Sequence, residues 1–146
     1  MKLKVVIDTN IWIRVLLRGR ITLPILDAFN NNIFQLIMSQ PLLVEFNEVW
    51  NRPRLKKYIN ENQAIRLERQ FKYRAIWIEV KTIPPHCRDP KDLPVLATGI
   101  DGKANIIVSG DDDLRADEDL RKAMQSYHIE LLGVNSFLER LAQSEN

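Results

Sequence analysis

Several acidic side chains in this sequence stand where the chain leaves an apolar segment. Asp8 directly follows the apolar residues 5–7, and Asp111 closely follows the apolar run 106–108. Carboxylates brought together repel one another unless a cation neutralises them or some of them take up protons. Carboxylate oxygens are the ligands that hard divalent ions such as Mg²⁺ or Mn²⁺ prefer. A cluster of these acids would therefore indicate a site for a divalent cation.

Each acid also has a simpler structural explanation. Asp8, Asp92 and Asp111 could each cap a helix or belong to a turn, and for any one of them alone this is the more common role. Glu45 could be a solvated helix residue, and the acidic run 111–119 could be an exposed loop leading into a helix. Caps have no reason to gather at one edge of a sheet, however, so a shared location would favour the metal site.

The elements that would position these acids alternate between strands and helices. Strands are predicted at residues 3–7, 33–39, 77–83, 105–110 and 129–133. Helices are predicted at 10–18, 22–31, 41–51, 60–76, 94–100, a segment ending near 127, and 135–143, the last capped by Asn135 or Ser136. The alternation predicts a single α/β domain over residues 1–146, with three α/β/α layers around a central, mostly parallel sheet of about five strands.

This architecture predicts that the acids gather at one edge of the sheet. In open α/β sheets, ligands bind beyond the carboxyl ends of the strands, where Asp8 and Asp111 are expected. Asp92 precedes a helix that leads into the fourth strand. Glu45 lies on the rim of the apolar stripe of its predicted helix, with Glu48 turned further toward solvent. Zinc is not expected, because His86 and Cys87 are neighbours and His128 stands apart.

Composition narrows the class of protein without naming a function. The net charge is only +2, but residues 52–57 are basic and residues 111–119 are acidic. A single cysteine excludes a disulfide framework and favours a cytoplasmic protein. The apolar run near the first residue is too short for a signal peptide, and none reaches the length of a membrane span, so no membrane association is expected.

Four motifs follow one another along the chain: "VVIDTNIWI" (5–13), "MSQPLLVEFNEVWNRPRL" (38–55), "CRDPKDLPVLATG" (87–99) and "NIIVSGDDDL" (105–114). They resemble the motifs of PIN domains, a family of small metal-dependent ribonucleases. They span most of the chain, and the branch they resemble most contains the toxins of toxin–antitoxin pairs. Leu93 and Pro94 depart from the pattern of this branch, which usually has polar residues after the acid that corresponds to Asp92.

The resemblance implies roles for individual residues. The principal acids of the family fall on Asp8, Glu45, Asp92 and Asp111, with Asp113 as a further acid in the same loop. Asp8, Asp92 and Asp111 would bind Mg²⁺ or Mn²⁺ directly or through water. Three polar residues would support the cluster: Thr9, Asn10 and Ser109. Asp89 matches an acid that is frequent in the branch.

The implied reaction is hydrolysis of an RNA phosphodiester bond. Candidate contacts to the RNA backbone are Arg14, Arg18, Arg52 and Arg54, with Lys56 and Lys57 close by, although each taken singly could be an ordinary solvated cation. A single-stranded or looped RNA is the usual target of RNA recognition. The toxin branch further implies a small antitoxin protein as partner and a homodimer.

Two other classes of function remain open from the sequence. The chain could be a catalytically silent RNA- or protein-binding module whose acids hold a structural ion. It could also be a metal-dependent phosphoesterase that acts on DNA or on a small phosphate ester. The scattered glycines form no phosphate-binding loop, which argues against a nucleotide switch.

Overall fold

The computed structural model describes residues 2–83 and 90–144. Five strands form one sheet: β1 (Lys4–Ile7), β2 (Gln35–Met38), β3 (Ile76–Trp77), β4 (Ile106–Val108) and β5 (Glu130–Leu132). The order across the sheet is β3-β2-β1-β4-β5, and each neighbouring pair is parallel. The predicted three-layer α/β/α fold is confirmed, with a sheet that is parallel throughout.

Helices connect the strands and cover the sheet. They are α1 (Thr9–Leu16), α2 (Leu23–Asn30), α3 (Gln40–Trp50), α4 (Pro53–Lys56), α5 (Glu61–Arg74), α6 (Leu93–Asp101), α7 (Asp112–Ala116), α8 (Glu118–Gln125) and α9 (Val134–Ser144). A 3-10 turn, Pro90–Asp92, leads into α6. Proline occupies the first turn of α2, α3, α4 and α6, where its missing N–H would have had no helical partner. No helix among residues 2–83 and 90–144 is long and apolar enough to cross a membrane.

An aromatic cluster fixes α1, the helix that begins directly after Asp8. Trp12 packs edge-on against Phe29 and Phe71, with ring centroids 5.6 Å and 5.0 Å away. Phe71 also contacts Phe46 of α3 at 5.2 Å. These rings are buried, so α1 and α3 are held together by burial of large apolar side chains. The two helices that carry or adjoin site residues are thus anchored in one core.

The predicted boundaries of the third strand, the first helix and the last helix are wrong for identifiable reasons. The third strand ends at residue 77, because the N–H groups of Lys81 and Thr82 donate to the carboxylate of Asp101 rather than to a strand. The first helix ends at Leu16, so Arg14 and Arg18 do not share a helical face; Arg18 has a φ of 62°.

The last helix begins at Val134, one residue before the expected start. Its first hydrogen bond at this end runs from the Phe137 N–H to the Gly133 carbonyl, at 3.0 Å. Asn135 and Ser136 therefore lie inside the first turn and are not its caps. The short helix α4 and the division of the acidic segment into α7 and α8 were also not predicted.

Candidate functional site

The candidate site lies where the direction of strand addition reverses. From β1 the sheet grows through β2 and β3 on one side and through β4 and β5 on the other. Such a switch point leaves a crevice beyond the carboxyl ends of the two central strands. Asp8 follows β1, and its N–H donates to the Val108 carbonyl at the end of β4, at 2.9 Å. The ends of β1 and β4 are therefore joined where the first acid stands.

Asp8 is a buried acid, with only 6% of its surface exposed. It occupies the N-cap position of α1, but its side chain makes no capping hydrogen bond. Burial, followed by the negative charge of Glu45, raises the pKa of Asp8 to about 6. The nearby N–H groups of Asn10 and Thr9 lower this pKa, and the charge of Asp111 adds a smaller increase. Asp8 therefore stands close enough to two other acids to feel their charge, which a helix cap alone would not require.

Asp111 is positioned by a serine that is fully buried. The Ser109 hydroxyl oxygen accepts a hydrogen bond from the Asp111 N–H at 3.0 Å. The Ser109 N–H donates to the Leu132 carbonyl of β5 at 2.9 Å. The loop that carries Asp111 is therefore fixed both to its own serine side chain and to the neighbouring strand.

Glu45 and Asp92 reach the pocket from two further helices. Glu45 is partly buried on α3, and Glu48 is exposed, as the position of Glu45 on the helix rim predicted. Asp92 ends the 3-10 turn and occupies the N-cap position of α6 without a side-chain capping bond. Pro94 fits in the first turn of that helix, so the departure from the family pattern leaves the helix start intact.

These acids line one pocket of about 360 Å³. Its walls are formed by Asp8, Asn10, Glu45, Glu48, Val49, Arg52, Lys91, Asp92 and Asp111. Among the described residues, no three acidic, histidine or cysteine side chains form a ready-made metal cage. Mg²⁺ does not require one, because it keeps several waters and is commonly held through one or two carboxylates and a substrate phosphate. The all-oxygen donor set and the mutual repulsion around Asp8 fit such an ion.

The four candidate RNA-binding arginines lie in different places. Arg52 lines the acidic pocket and forms an exposed ion pair with Glu48 at 4.0 Å. Arg14 lines an adjacent groove together with Ser109. Arg18 lines a separate cavity between α1, α2 and α5, and Arg54 is exposed on α4 and does not line the acidic pocket.

Some expected and some unexpected residues complete this description. Asp89 and the side chain of Asp113 lie outside the described part of the chain. Thr9 is buried at the start of α1. Sequence reasoning did not identify Lys91, although its place beside Asp92 was a usable signal. It also missed Thr98. The buried hydroxyl of this residue contacts that of Ser39, which is 59 residues away in the sequence, and no local pattern reveals such a contact.

Comparison with known proteins identifies the family. A PIN domain family model matches residues 4–113, which is most of the chain and includes all four principal acids. This chain therefore belongs to the PIN domain family, whose members are generally nucleases that use divalent metals. It is also 31% identical over 142 residues to the uncharacterized protein MJ1680 of Methanocaldococcus jannaschii, covering 94% of this chain and 91% of the relative.

Proposed function

We propose that this chain is an endoribonuclease that hydrolyses phosphodiester bonds of RNA with Mg²⁺ or Mn²⁺. One observation carries the proposal. Four acids from four separate segments, Asp8, Glu45, Asp92 and Asp111, line one pocket at the switch point of the sheet. Membership of a family of nucleases supports the same reaction class.

Each side chain has a defined role in this proposal. Asp8, Asp92 and Asp111 supply the anionic oxygens that bind the ion directly or through water. A bound divalent ion supplies charge neutralisation at the phosphate and a water of lowered pKa. Glu45 and Asp113 complete the acidic set, and Arg52 and Lys91 place positive charge beside the acids for the RNA backbone.

Three residues would support the acids without touching the reacting phosphate. Ser109 holds the Asp111 N–H and so fixes the direction in which this loop leaves β4. The N–H groups of Thr9 and Asn10 favour the charged form of Asp8, because they lower its pKa against the effect of burial. An ionised Asp8 is the form that a divalent ion requires.

The test is a cleavage assay on a mixture of structured and single-stranded RNA. Purified protein is compared in Mg²⁺, in Mn²⁺ and in EDTA, with Asp8→Asn in parallel. Asp27→Asn is the matched control, because it makes the same chemical change at an exposed position on α2. We expect cleavage that EDTA abolishes, that Asp8→Asn loses, and that Asp27→Asn retains.

Three results would overturn the proposal. Full activity of folded Asp8→Asn would remove the assigned site. Absence of cleavage under every condition, together with a melting temperature that rises with Mg²⁺, would favour a catalytically silent module with a structural ion. Cleavage of DNA but not RNA would favour the other phosphoesterase class.

We propose a cytoplasmic toxin of a type II toxin–antitoxin pair, acting as a homodimer. A small antitoxin protein would inhibit it by placing an arginine near the acidic pocket. Support comes from the four motifs shared with the toxin branch. Induced expression is expected to arrest growth with the wild-type chain and not with Asp8→Asn, and light scattering measures the oligomeric state.

A further inference from the structure

A second groove adjoins the acidic pocket on the other side of the loop between β4 and α7. It has a volume of about 450 Å³ and is lined by Arg14, Ser109, Gly110, Asp112, Arg115, Gly133 and the first turn of α9. Residues 109–112, which form this loop and the first residue of α7, separate the two: Asp111 lines the acidic pocket, while Ser109, Gly110 and Asp112 line this groove. Arg14 lies against Gly110 and Arg115 pairs with Asp112, and these two residues flank the proposed metal ligand Asp111.

Glycine makes room for each of the two guanidinium groups. A Cβ atom on Gly110 would lie 3.0 Å from Nη1 of Arg14, and one on Gly133 would lie 2.5 Å from Nη1 of Arg115. Neither glycine has a positive φ, so backbone conformation does not require glycine at these positions. The absence of a side chain instead lets both guanidinium groups approach the backbone of the groove closely.

The two guanidinium groups keep unused hydrogen-bonding capacity. Within the described residues, Arg14 makes no hydrogen bond or ion pair, and Nε of Arg115 is buried without a partner. Arg115 pairs through Nη2 with Asp112, whose side chain is almost fully exposed. A guanidinium group has five N–H donors in a planar fork that matches a phosphate. The groove therefore presents more donors than its own residues use.

We infer that Arg14 and Arg115 form a phosphate subsite that binds a non-scissile phosphate of the RNA strand beside the phosphate held in the acidic pocket. This inference rests on the proposed ribonuclease function for the identity of the ligand. A strand that crosses the 109–112 loop places consecutive phosphates on its two sides. The acidic pocket alone would repel a polyanion, and the adjacent cations offset that repulsion.

The test measures binding rather than cleavage. A short fluorescein-labelled single-stranded RNA is titrated with protein in EDTA at several salt concentrations. We expect Arg14→Ala to weaken binding roughly fivefold to tenfold and to reduce the slope of log affinity against log salt by about 0.7, the value for one phosphate contact on a single strand. Arg74→Ala is the control, because this arginine bonds only neutral partners among the described residues and does not line the groove.

Gly133→Ala separates geometry from charge. The added methyl group would displace the tip of Arg115, a flexible side chain, while every charge is kept. We expect weaker RNA binding than in the wild-type protein, with a normal melting temperature. Because Arg14 is exposed, Arg14→Ala provides the test even if Gly133→Ala does not fold.

RNAs with one neutral methylphosphonate linkage locate the contact. One linkage position should weaken binding by the wild-type protein but have no further effect on Arg14→Ala. If no position behaves in this way, or if Arg14→Ala binds like Arg74→Ala, the inference is wrong. Undetectable RNA binding by the wild-type protein would also overturn it.

The outcomes distinguish this inference from the proposed function. If the wild-type protein cleaves RNA while both groove variants bind normally, only the subsite is refuted. If the groove variants weaken binding while the wild-type protein never cleaves, the subsite stands and the ribonuclease proposal fails.

Discussion

The hydroxyl of Ser39 lies 2.8 Å from the hydroxyl of Thr98, and both side chains are fully buried. The Thr98 hydroxyl donates to the Pro94 carbonyl at 2.7 Å, so Ser39 must supply the hydrogen between the two hydroxyls. Ser39 directly precedes α3, which carries Glu45, and Thr98 lies in α6, whose N-cap position is Asp92. This hydrogen bond therefore ties together the two helices that bring Glu45 and Asp92 to the pocket.

Thr98→Val is expected to destabilise the protein more than Ser39→Ala. The valine variant leaves a buried Ser39 donor without an acceptor, which costs about 1–3 kcal/mol, whereas losing one hydrogen bond costs about 1 kcal/mol. In the double variant neither hydroxyl remains, so the loss should be smaller than the sum of the two single losses. Urea unfolding of all four proteins measures this coupling, and strictly additive losses would show that the pair does not interact.

The central strands β1 and β4, and the acids Asp8 and Asp111 that follow them, could be predicted from sequence because their signals are local. Val5, Val6 and Ile7 form an uninterrupted apolar run, as expected for a strand buried on both faces, and Asp8 follows it directly. The same holds for β4 and the acidic loop after it. Alternation of strands and helices then implied a parallel sheet, and with it the edge where the acids meet.

Other features depend on contacts between distant residues and left no local signal. The pattern of residues 77–83 alternates like a strand, but Asp101 accepts the backbone donors of Lys81 and Thr82 and draws the chain away. Only the folded chain brings Ser39 into hydrogen-bonding distance of Thr98. The same is true of the close approach of the Arg115 guanidinium group to Gly133. Such positions could be named only once the fold was known.

The stability of the metal-free protein should fall as the pH rises from about 4 to 6. The pKa of Asp8 is raised from 3.8 to about 6, first by burial and then by Glu45. Between these values the folded state binds more protons than the unfolded state, so the free energy of unfolding decreases with pH and then levels off. A shift of this size corresponds to about 2–4 kcal/mol. In EDTA, Asp8→Asn should therefore be more stable than the wild-type protein at pH 7.5 and lose this advantage below pH ~4.

Asp101→Asn should be less stable than the wild-type protein at neutral pH, which is the opposite of the effect expected for Asp8→Asn. Desolvation raises the pKa of Asp101, but hydrogen bonds from the Thr82 hydroxyl and from the N–H groups of Lys81 and Thr82 lower it overall. Its stabilising effect is present above the unfolded value of 3.8 and is lost as the pH falls through the lowered pKa. Chemical unfolding from acidic to neutral pH measures the stability change of Asp8→Asn and of Asp101→Asn. If both variants are stabilised, or both destabilised, at neutral pH, the pKa shifts do not explain the roles of these two carboxylates.

Ser109→Ala should reduce cleavage because it removes the acceptor of the Asp111 N–H. We expect a loss of stability of about 1 kcal/mol. The apparent affinity for Mg²⁺ should change more than the stability does. A less firmly held Asp111 raises the concentration of Mg²⁺ needed for half-maximal cleavage rate. Excess Mg²⁺ should then restore much of the activity. Ser126→Ala, which removes an exposed hydroxyl bonded to Ala123, is the matched control and should need no additional Mg²⁺.

Glu45→Gln should lower the pKa of Asp8. After burial, the charge of Glu45 is the largest cause of the raised value, so its removal leaves Asp8 easier to ionise. Glu48→Gln makes the same change on the same helix and the same pocket, but Glu48 does not contribute to this pKa. Carbon-13 NMR of the Asp8 carboxyl group, titrated in EDTA, measures the shift directly. Equal shifts in both variants, or none in Glu45→Gln, would mean that Glu45 does not face Asp8 across the pocket, and its place in the acidic cluster would have to be abandoned.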